Sequence, residues 1–442
     1  MKEKKFFVTT PIYYINDLPH VGHAYATFAA DTLVRFYKIL GREVYLVTGS
    51  DENSQKTIEA SAKKGQTPED YSTAMVKDWE NTWEKLGLRN DYFHFVRTSN
   101  TDHKKFVQDF FQKVFDNGFI EQGFYEGLYC TGHEAFIKSS DLNEEGLCPD
   151  HKTKPEQLKE KNYFFKLSEF SNRLLELYKK NPDFILPEER RNEVISFVNS
   201  GLENISISRE SAKWGIKVPF DKSQVIYVWF DALLSYYSTT PKEFWPADLH
   251  IIGKDILRFH TVIWPAMLMA AGWEDFLPKR IFATGFFTIK GTKISKSLGN
   301  AIDPLTITNE YGVDALRYYL FKEIPFGSDG DFSIEKLKEV YNSDLANGLG
   351  NLVSRVAKLA ETLELSGTSN SKEPLLDASF RIHLEKLEFL QALEYIWTKI
   401  RTADLLLEKT KPWELVKTDR TKAVEVVENL TRQINEIQEL LL

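Results

Sequence analysis

The sequence has few cysteines and no long hydrophobic run, and both absences narrow the classes of protein that it could encode. Two cysteines in 442 residues argue against an oxidising compartment and favour a reducing one. No stretch of about 18 apolar residues is free of charge. The first residues, MKEKKFF, lead into a β pattern rather than an apolar signal segment. We therefore expect a cytoplasmic protein without a membrane span.

An excess of positive charge is also missing. The formal net charge is −8, which does not indicate a nucleic-acid binder, although a local basic surface would be enough for binding. The hydrophobic content of 42% and the charged content of 27% are ordinary for a globular protein. A chain of 442 residues is too long for one core, so we predict two or three domains.

The most informative stretch is PIYYINDLPHVGH, residues Pro11 to His23, which lies between the β pattern FFVTT and the amphipathic run AYATFAADTLVRFYKIL. This order predicts a strand, a turn and a helix, the first half of a βαβ unit. Free N–H groups at a helix start form an anion site, and His20 and His23 would flank it around Gly22. The alternative is a pair of histidines at a partly buried helix start.

A second stretch, Gly291 to Asn300, reads GTKISKSLGN. Alternating lysines and serines among glycines are typical of a mobile cationic loop. Alone, this would be a solvated loop. Together with the histidine motif, it argues against a merely solvated loop.

HVGH at the first helix and KISKS near the end of the predicted nucleotide-binding region resemble the two signatures of class I aminoacyl-tRNA synthetases. The segments TTPIYYIND, YVWFDALLSYY and HIIGKDILRFHTVIWPAM are similar to those of the methionyl-tRNA synthetase family in particular, and the likeness extends to about Trp413. It implies ATP-dependent activation of L-methionine to methionyl-adenylate with release of pyrophosphate, then transfer to the 3′ end of tRNA(Met).

The predicted fold class is α/β: a Rossmann-like catalytic domain with an inserted connective-peptide domain, followed by an all-α helical bundle. The expected divisions are 1–117 and 225–290 for the two catalytic halves, 118–224 for the insertion, 291–332 for the KISKS loop and stem-contact region, and 333–442 for the anticodon-binding helices. The insertion is too small for the editing domain of the isoleucyl, valyl and leucyl enzymes. The chain ends in QELLL within a helical pattern, which suggests that further bundle residues lie outside the sequence.

The resemblance implies an ATP site in which His20 and His23 hold the α- and β-phosphate region. Lys293 and Lys296 would close over the β- and γ-phosphates, and these four side chains would be catalytic. The other positions matched to the ATP site are Gly22, Gly253, Asp255 and Ser295. Mg²⁺ would bridge the triphosphate through substrate oxygens and water, so no dedicated protein ligands are expected.

The resemblance also implies a methionine pocket, whose polarisable aromatic walls suit a thioether. The matched positions are Ile12, Tyr14, Trp229, Ala232, Leu233, Tyr236, Ile256, His260 and Trp264. Asp51 matches the carboxylate that pairs with the substrate ammonium, although an aspartate after a strand can also be a helix cap. The family usually continues Glu-His-Gly, whereas Glu52, Asn53 and Ser54 follow here, so we expect the contacts just beyond the ammonium site to differ.

Two short-spaced ligand pairs lie inside the insertion, within 125–155: Cys130 with His133, and Cys148 with His151. Such pairs, one hairpin apart, are what a tetrahedral Zn²⁺ site needs. The family has a zinc knuckle at this place that is usually richer in cysteine, and His133 stands where a cysteine is more typical. We predict one Zn²⁺ per chain; the alternative is a metal-free hairpin with two buried thiols.

In the helical region, Asn351 and Arg355 would share one helix face, and Trp413 would supply an aromatic plane. Unpaired bases are read by edge hydrogen bonds and stacking, and these three positions match the family's anticodon-reading set. The alternative is a solvated helix face with a core tryptophan. We expect L-methionine, ATP and tRNA(Met) as partners, and a monomer, since no appended tRNA-binding module follows the bundle.

Three rival functions fit less well. The cysteinyl enzymes need a zinc-binding cysteine in the catalytic pocket, whereas both cysteines of this sequence lie in the insertion. The branched-chain enzymes need a larger insertion to hold their editing domain. A coenzyme-forming nucleotidyltransferase shares an H-x-G-H turn but would have no use for the insertion or the bundle. A non-catalytic RNA-binding paralogue would not need both the histidine pair and the lysine pair.

Overall fold

The computed structural model describes residues 4–88, 91–132, 135–137, 139–210, 212, 214–289, 291–293, 301–365 and 376–442. The chain divides into two compact units, Met1–Val34 with Arg42–Thr284, and Arg35–Gly41 with Gly285–Leu442. None of the helices in the described part of the chain combines the length and the apolar character that a membrane span needs.

The described part of the first unit contains a six-stranded sheet, a four-stranded sheet and one two-stranded ribbon. Its strands are β1 (Lys5–Tyr14), β2 (Glu43–Asp51), β3 (Phe93–Arg97), β4 (Ile120–Cys130), β5 (Ala135–Ile137), β6 (Glu156–Phe165), β7 (Ile185–Leu186), β8 (Ile205–Ser206), β9 (Ser208–Arg209), β10 (Val225–Ile226), β11 (Leu249–Gly253) and β12 (Ile281–Thr284). Its helices are α1 (Val21–Ile39, whose last residues fall in the second unit), α2 (Gln55–Lys63), α3 (Pro68–Lys85), α4 (Thr101–Asp116), α5 (Ser171–Lys180), α6 (Glu188–Asn199), α7 (Val228–Ala232), α8 (Ser235–Ser238) and α9 (Trp264–Ala270).

The main sheet of this unit has six parallel strands in the order β3-β2-β1-β11-β12-β7. Most residues of β1 are buried, as expected for a parallel strand covered on both faces. The strand order reverses between β1 and β11. Ligands of open α/β sheets bind in the crevice at such a switch point, beyond the carboxyl ends of the strands.

Strands β2 and β3 approach each other unusually closely at Gly49. A Cβ atom at Gly49 would lie 2.2 Å from the carbonyl oxygen of Val96, so only glycine allows the two backbones to approach here. The close approach holds Ser50 against Arg97 of β3. The next residue, Asp51, pairs with Tyr14 of β1.

The segment 118–224 forms an antiparallel sheet in the order β5-β4-β6-β8, with a long β4–β6 ladder from Ile120↔Phe165 to Tyr129↔Glu156. The same segment also supplies β7, which pairs in parallel with β12 of the main sheet. Strands β9 and β10 form a separate two-stranded ribbon.

One helix of the first unit contains a π-helical turn, Phe259–Ile263, immediately before α9. Such turns are rare and frequently occur at functional sites. The hydroxyl of Tyr178 donates a hydrogen bond to the Thr261 carbonyl at 2.6 Å, which satisfies one acceptor in the irregular turn.

The second unit is mainly helical. Its strands β13 (Phe287–Ile289), β14 (Thr292–Lys293) and β15 (Gly330–Asp331) form a small sheet in the order β14-β13-β15. Its helices are α10 (Pro304–Tyr311), α11 (Val313–Glu323), α12 (Ile334–Val340), α13 (Asn351–Thr362), α14 (Ala378–Glu385), α15 (Phe389–Thr410), α16 (Pro412–Thr418) and α17 (Arg420–Leu441). The longest ones bury residues at helical spacing, as in Ala423, Val427 and Leu430 of α17. The predicted α/β class with a helical C-terminal region is therefore confirmed.

Candidate active site

The two histidines of HVGH lie at the start of α1, where the chain leaves β1. The Nδ1 atom of His23 accepts a hydrogen bond from the backbone N–H of His20 at 3.0 Å. The Nδ1 atom of His20 accepts one from the N–H of Gly22 at 3.1 Å. Because each Nδ1 is an acceptor, each neutral ring carries its proton on Nε2. Both rings therefore offer Nε2–H donors next to a helix N-terminus.

Aromatic side chains hold the histidine pair. The two imidazole rings stack with centroids 3.8 Å apart. The ring of Tyr13 lies 4.6 Å from that of His23, and the indole of Trp79 lies 5.3 Å from it. Sequence analysis did not single out Tyr13 or Trp79; the only available signal was the position of Tyr13 inside the PIYY stretch. These contacts fix the ring orientations that an anion would meet.

A cleft opens at the carboxyl ends of β1, β2 and β11, beside the histidine pair. Its cavity volume is about 30 Å³. Every residue predicted for the methionine pocket except Trp264 lines it, together with Pro11: Ile12, Tyr14, Asp51, Trp229, Ala232, Leu233, Tyr236, Ile256 and His260. Trp264 lies behind the wall, fully buried, with its ring 6.3 Å from that of Tyr236.

One wall of the cleft contains a hydrogen-bonded chain of neutral groups. The Nδ1–H of His260 donates to the Ile256 carbonyl at 3.0 Å, so Nε2 accepts from the Tyr236 hydroxyl at 2.6 Å. Burial lowers the pKa of His260 to about 4 and raises the pKa of Tyr236 far above its ordinary value. Both side chains are therefore uncharged at neutral pH, which suits an apolar substrate side chain.

Asp51 places a carboxylate in this otherwise neutral cleft. It ends β2 and is only 4% exposed. Its charge contributes to the raised pKa of Tyr236, after burial and the neighbouring Tyr13. An ammonium group entering the cleft would pair with this carboxylate. Trp229 gives the cleft an apolar aromatic surface. Its ring is held by stacking on Phe259, with ring centroids 3.9 Å apart.

The three residues after Asp51 point away from the cleft. Glu52 is fully buried and accepts two hydrogen bonds from Arg97, at 2.9 and 3.0 Å. Asn53 donates to Asp231 at 2.7 Å. Ser54 caps α2 by accepting from the Thr57 N–H at 3.2 Å. None of the three lines the cleft.

The other positions predicted for ATP are described only in part. Gly253 ends β11 beside β1, and Asp255 lies exposed in the following turn. Lys293 belongs to β14, but its side chain is not described. Ser295 and Lys296 lie outside the described residues.

Three of the four predicted zinc ligands lie close together: Cys130, Cys148 and His151. The sulfur atoms of Cys130 and Cys148 lie 3.8 and 3.5 Å from Nδ1 of His151, and the three ligand atoms are within 4.8 Å of one another. A tetrahedral zinc site places sulfur and nitrogen ligands about 3.5 Å apart, so these three groups fit Zn²⁺. A Cβ atom at Gly132 would lie 2.3 Å from Cγ of His151, which explains the glycine at this position. His133 lies outside the described residues.

Two of the three predicted anticodon residues, Arg355 and Trp413, lie in contact within the second unit. Arg355 on α13 lies over the ring of Trp413 on α16, 5.2 Å from its centroid. The same guanidinium forms an ion pair with Glu408 at 2.7 Å. Asn351 is exposed at the start of α13.

Comparison with known proteins identifies the family. A family model described as "tRNA synthetases class I (M)" matches residues 6–157 and 148–357. The methionine–tRNA ligase of Caldanaerobacter subterraneus is 43% identical in an alignment of 436 positions, which spans 94% of this chain and 68% of that protein. That of Rickettsia felis is 43% identical in an alignment of 464 positions, which spans 99% of this chain and 89% of the relative.

The chain belongs to the methionyl-tRNA synthetase family.

Solved structures agree with this membership. Mycobacterium tuberculosis methionyl-tRNA synthetase in complex with methionyl-adenylate has a TM-score of 0.90 and 36% identity, covering 99% of this chain and 90% of that one. The free form of the same enzyme has a TM-score of 0.81 and 35% identity, covering 99% and 88%. The predicted family is thus confirmed, and the rival families are set aside for this methionyl-tRNA synthetase homologue.

Proposed function

We propose that this chain activates L-methionine with ATP to form methionyl-adenylate and pyrophosphate, then transfers the methionyl group to the 3′ end of tRNA(Met) for initiation and elongation of translation. The observation that carries the proposal is the cleft, which joins a buried carboxylate, Asp51, to a neutral apolar wall beside the histidine pair. Strand β1 connects the two parts, since Ile12 and Tyr14 line the cleft while Tyr13 packs on His23.

The chemistry requires two anions to meet. The methionine carboxylate attacks the α-phosphorus of ATP, the bond to the bridging oxygen breaks, and pyrophosphate leaves. Asp51 would hold the substrate ammonium and so orient the carboxylate. The Nε2–H groups of His20 and His23 would donate to phosphate oxygens whose charge increases in the transition state.

The loop lysines complete this arrangement in the proposal. Lys293 and Lys296, with Ser295, would neutralise the β- and γ-phosphates, and Gly253 and Asp255 would lie near the ribose. Mg²⁺, bound through phosphate oxygens and water, would supply further charge neutralisation. These assignments are supported by family membership and by the position of β11 beside β1.

Transfer to tRNA would use the second unit. Arg355 and Trp413 supply a cation and an aromatic plane side by side, and Asn351 adds an exposed amide; these groups suit stacking and edge recognition of anticodon bases. The proposed divisions are 1–117 and 225–290 for catalysis, 118–224 for the insertion, 291–332 for stem contact and 333–442 for the anticodon. We also propose a cytoplasmic monomer; a content of only two cysteines in 442 residues supports the reducing compartment, and light scattering at 51.2 kDa would support the monomer.

The direct test is ATP–pyrophosphate exchange with each of the twenty amino acids, without tRNA. We expect exchange with methionine alone. Folded protein that exchanges with no amino acid would overturn the proposal, and exchange with leucine or isoleucine would reassign the pocket.

We also propose that the chain binds one Zn²⁺. Cys130, Cys148 and His151 lie at distances that fit this ion. Elemental analysis of protein purified without chelators should find one zinc atom per chain, and Cys148→Ser should lose it. Because structural zinc stabilises the segment that binds it, the variant should also become more sensitive to proteolysis within 125–155. Full-length protein with no zinc and unchanged proteolysis would support the metal-free hairpin.

A further inference from the structure

A chain of buried polar groups runs behind the cleft and is not used by the chemistry above. The Asp231 carboxylate is fully buried. One of its oxygens accepts from the Asn53 amide at 2.7 Å, and the other is bonded to Nε2 of His103 at 2.7 Å. Nδ1 of His103 is bonded in turn to the Ser238 hydroxyl at 2.7 Å.

These four residues belong to four different parts of the fold. Asn53 follows Asp51 by two residues, and Asp231 lies in α7 between Trp229 and Ala232 of the cleft. Ser238 ends α8, two residues after Tyr236. His103 lies in α4, a helix that contributes no residue to the cleft lining. The hydrogen bonds therefore connect the segment with the ammonium-binding carboxylate to both helices of the opposite wall.

The connection is highly specific because a buried carboxylate needs its partners. Removing one partner of a buried charge leaves the charge without compensation, which is far more costly than losing an exposed contact. The Asn53 amide also donates to the Thr98 carbonyl at 3.2 Å, so its orientation is set on two sides. Any rotation of α7 or shift of the Asp51 segment would break one of these bonds.

We propose that Asn53 and Asp231 are positioning residues that set the distance between Asp51 and the aromatic wall, and thereby the affinity for methionine. The inference rests on the proposed function. Neither side chain lines the cleft, so both act through Asp51, Trp229 and their neighbours. The ATP site is not connected by these bonds, so its affinity should not depend on them.

The test exchanges the amide and the carboxylate. In Asp231→Asn an amide N–H₂ can face the Asn53 amide, and in Asn53→Asp two carboxylates face each other. Each single variant should raise the methionine KM of pyrophosphate exchange about tenfold, with the ATP KM within about twofold of wild type. The double variant Asn53→Asp with Asp231→Asn restores an amide–carboxylate pair and an acceptor for His103. Its methionine KM should be at least about threefold lower than that of either single variant. It should remain above the wild-type value, because the Thr98 carbonyl loses its donor.

Two further variants separate positioning from general stability. Asp31→Asn removes another fully buried carboxylate of the same unit, one that accepts from Tyr92 at 2.6 Å, and should leave the methionine KM within about twofold. Ser238→Ala removes only the last link and should raise the methionine KM about two- to threefold, which keeps the idea testable if Asp231 variants do not fold.

The outcomes are distinct. A rise in methionine KM that the double variant reverses supports the inference. Equal rises in the KM values for methionine and ATP, or a double variant no better than the singles, would overturn it. If wild-type protein shows no methionine-dependent exchange at all, it is the proposed function that fails rather than the positioning role.

Discussion

The cleft proposed for methionine and the bundle surface proposed for the anticodon both combine charged and aromatic side chains, but with opposite degrees of burial. In the cleft, Asp51 is 4% exposed, and Tyr236 and His260 are bonded to each other inside the wall. On the bundle, the Arg355 side chain is 33% exposed and shared between Glu408 and Trp413. A small substrate must find its partners already oriented, because it makes few contacts. A large tRNA can supply many contacts and reorient exposed side chains as it binds.

The largest effect is expected from removing a histidine of the proposed phosphate site. His23→Ala should lower kcat/KM of methionine-dependent pyrophosphate exchange about 100- to 1000-fold, because a preorganised donor to the transition state is lost. His94→Ala is the matched control. This half-buried histidine of β3 stacks on Tyr45 of β2, with ring centroids 3.8 Å apart, and its loss should lower kcat/KM less than about threefold. A decrease in kcat/KM of less than tenfold in His23→Ala would show that His23 does not have the proposed catalytic role.

A second prediction concerns the neutral wall and pH. Burial lowers the pKa of His260 from 6.5 to about 4, so the unfolded chain binds this proton more tightly than the folded one. The contribution of neutral His260 to the free energy of unfolding is therefore fully present above about pH 6.5. As the pH falls towards 4, the free energy of unfolding decreases by about 3 kcal/mol through this group. Urea unfolding at pH 7 and pH 4 should show that His260→Gln loses about 3 kcal/mol less than wild type over this interval. Parallel losses in both proteins would mean that His260 is not held neutral.

The anticodon surface is tested by Trp413→Ala. We expect kcat/KM for tRNA charging to fall about 10- to 100-fold, since one base loses its stacking partner, while pyrophosphate exchange changes less than about twofold. Ile382→Ala, at a 48% exposed position of α14, controls for a truncated apolar surface residue and should affect neither assay. Equal losses in charging and exchange would show that Trp413 serves stability instead.

The smallest expected effect separates two adjacent tyrosines. Tyr236→Phe leaves Nε2 of His260 without its donor and should raise the methionine KM about tenfold. Tyr237 is also buried, but its hydroxyl donates to the Phe276 carbonyl at 2.6 Å, away from the cleft. Tyr237→Phe should lower stability and leave the methionine KM unchanged, so similar KM values in both variants would contradict the proposed wall.

Much of the fold was predictable because local patterns report strand and helix junctions. The alternation in FFVTT and the helix after HVGH predicted β1 and α1, and burial on both faces of β1 follows from its apolar composition. Strand β7 was not predictable in this way. It has two residues, Ile185 and Leu186, and no period can be recognised in so short a segment.

The interior of the site was harder to predict than its lining. His103 lies on the buried face of α4 with Val107 and Phe111, and in a linear sequence it is one polar residue in an amphipathic helix. Its partner Asp231 is 128 positions away, so the pairing arises only from the topology of the sheet. A polar residue at a core position of a helix was the only local signal.

The π-helical turn Phe259–Ile263 also limits how this segment can change in evolution. Straightening the turn into regular helix with the same number of residues would rotate everything that follows by about 100°. Every residue of α9 is buried, so such a rotation would turn each packed side chain away from its neighbours at once. The turn thus accommodates one additional residue between Ile256 and Trp264 while α9 keeps its packing. Substitutions that force regular helix here, with the residue number unchanged, would require rebuilding of the wall behind the cleft.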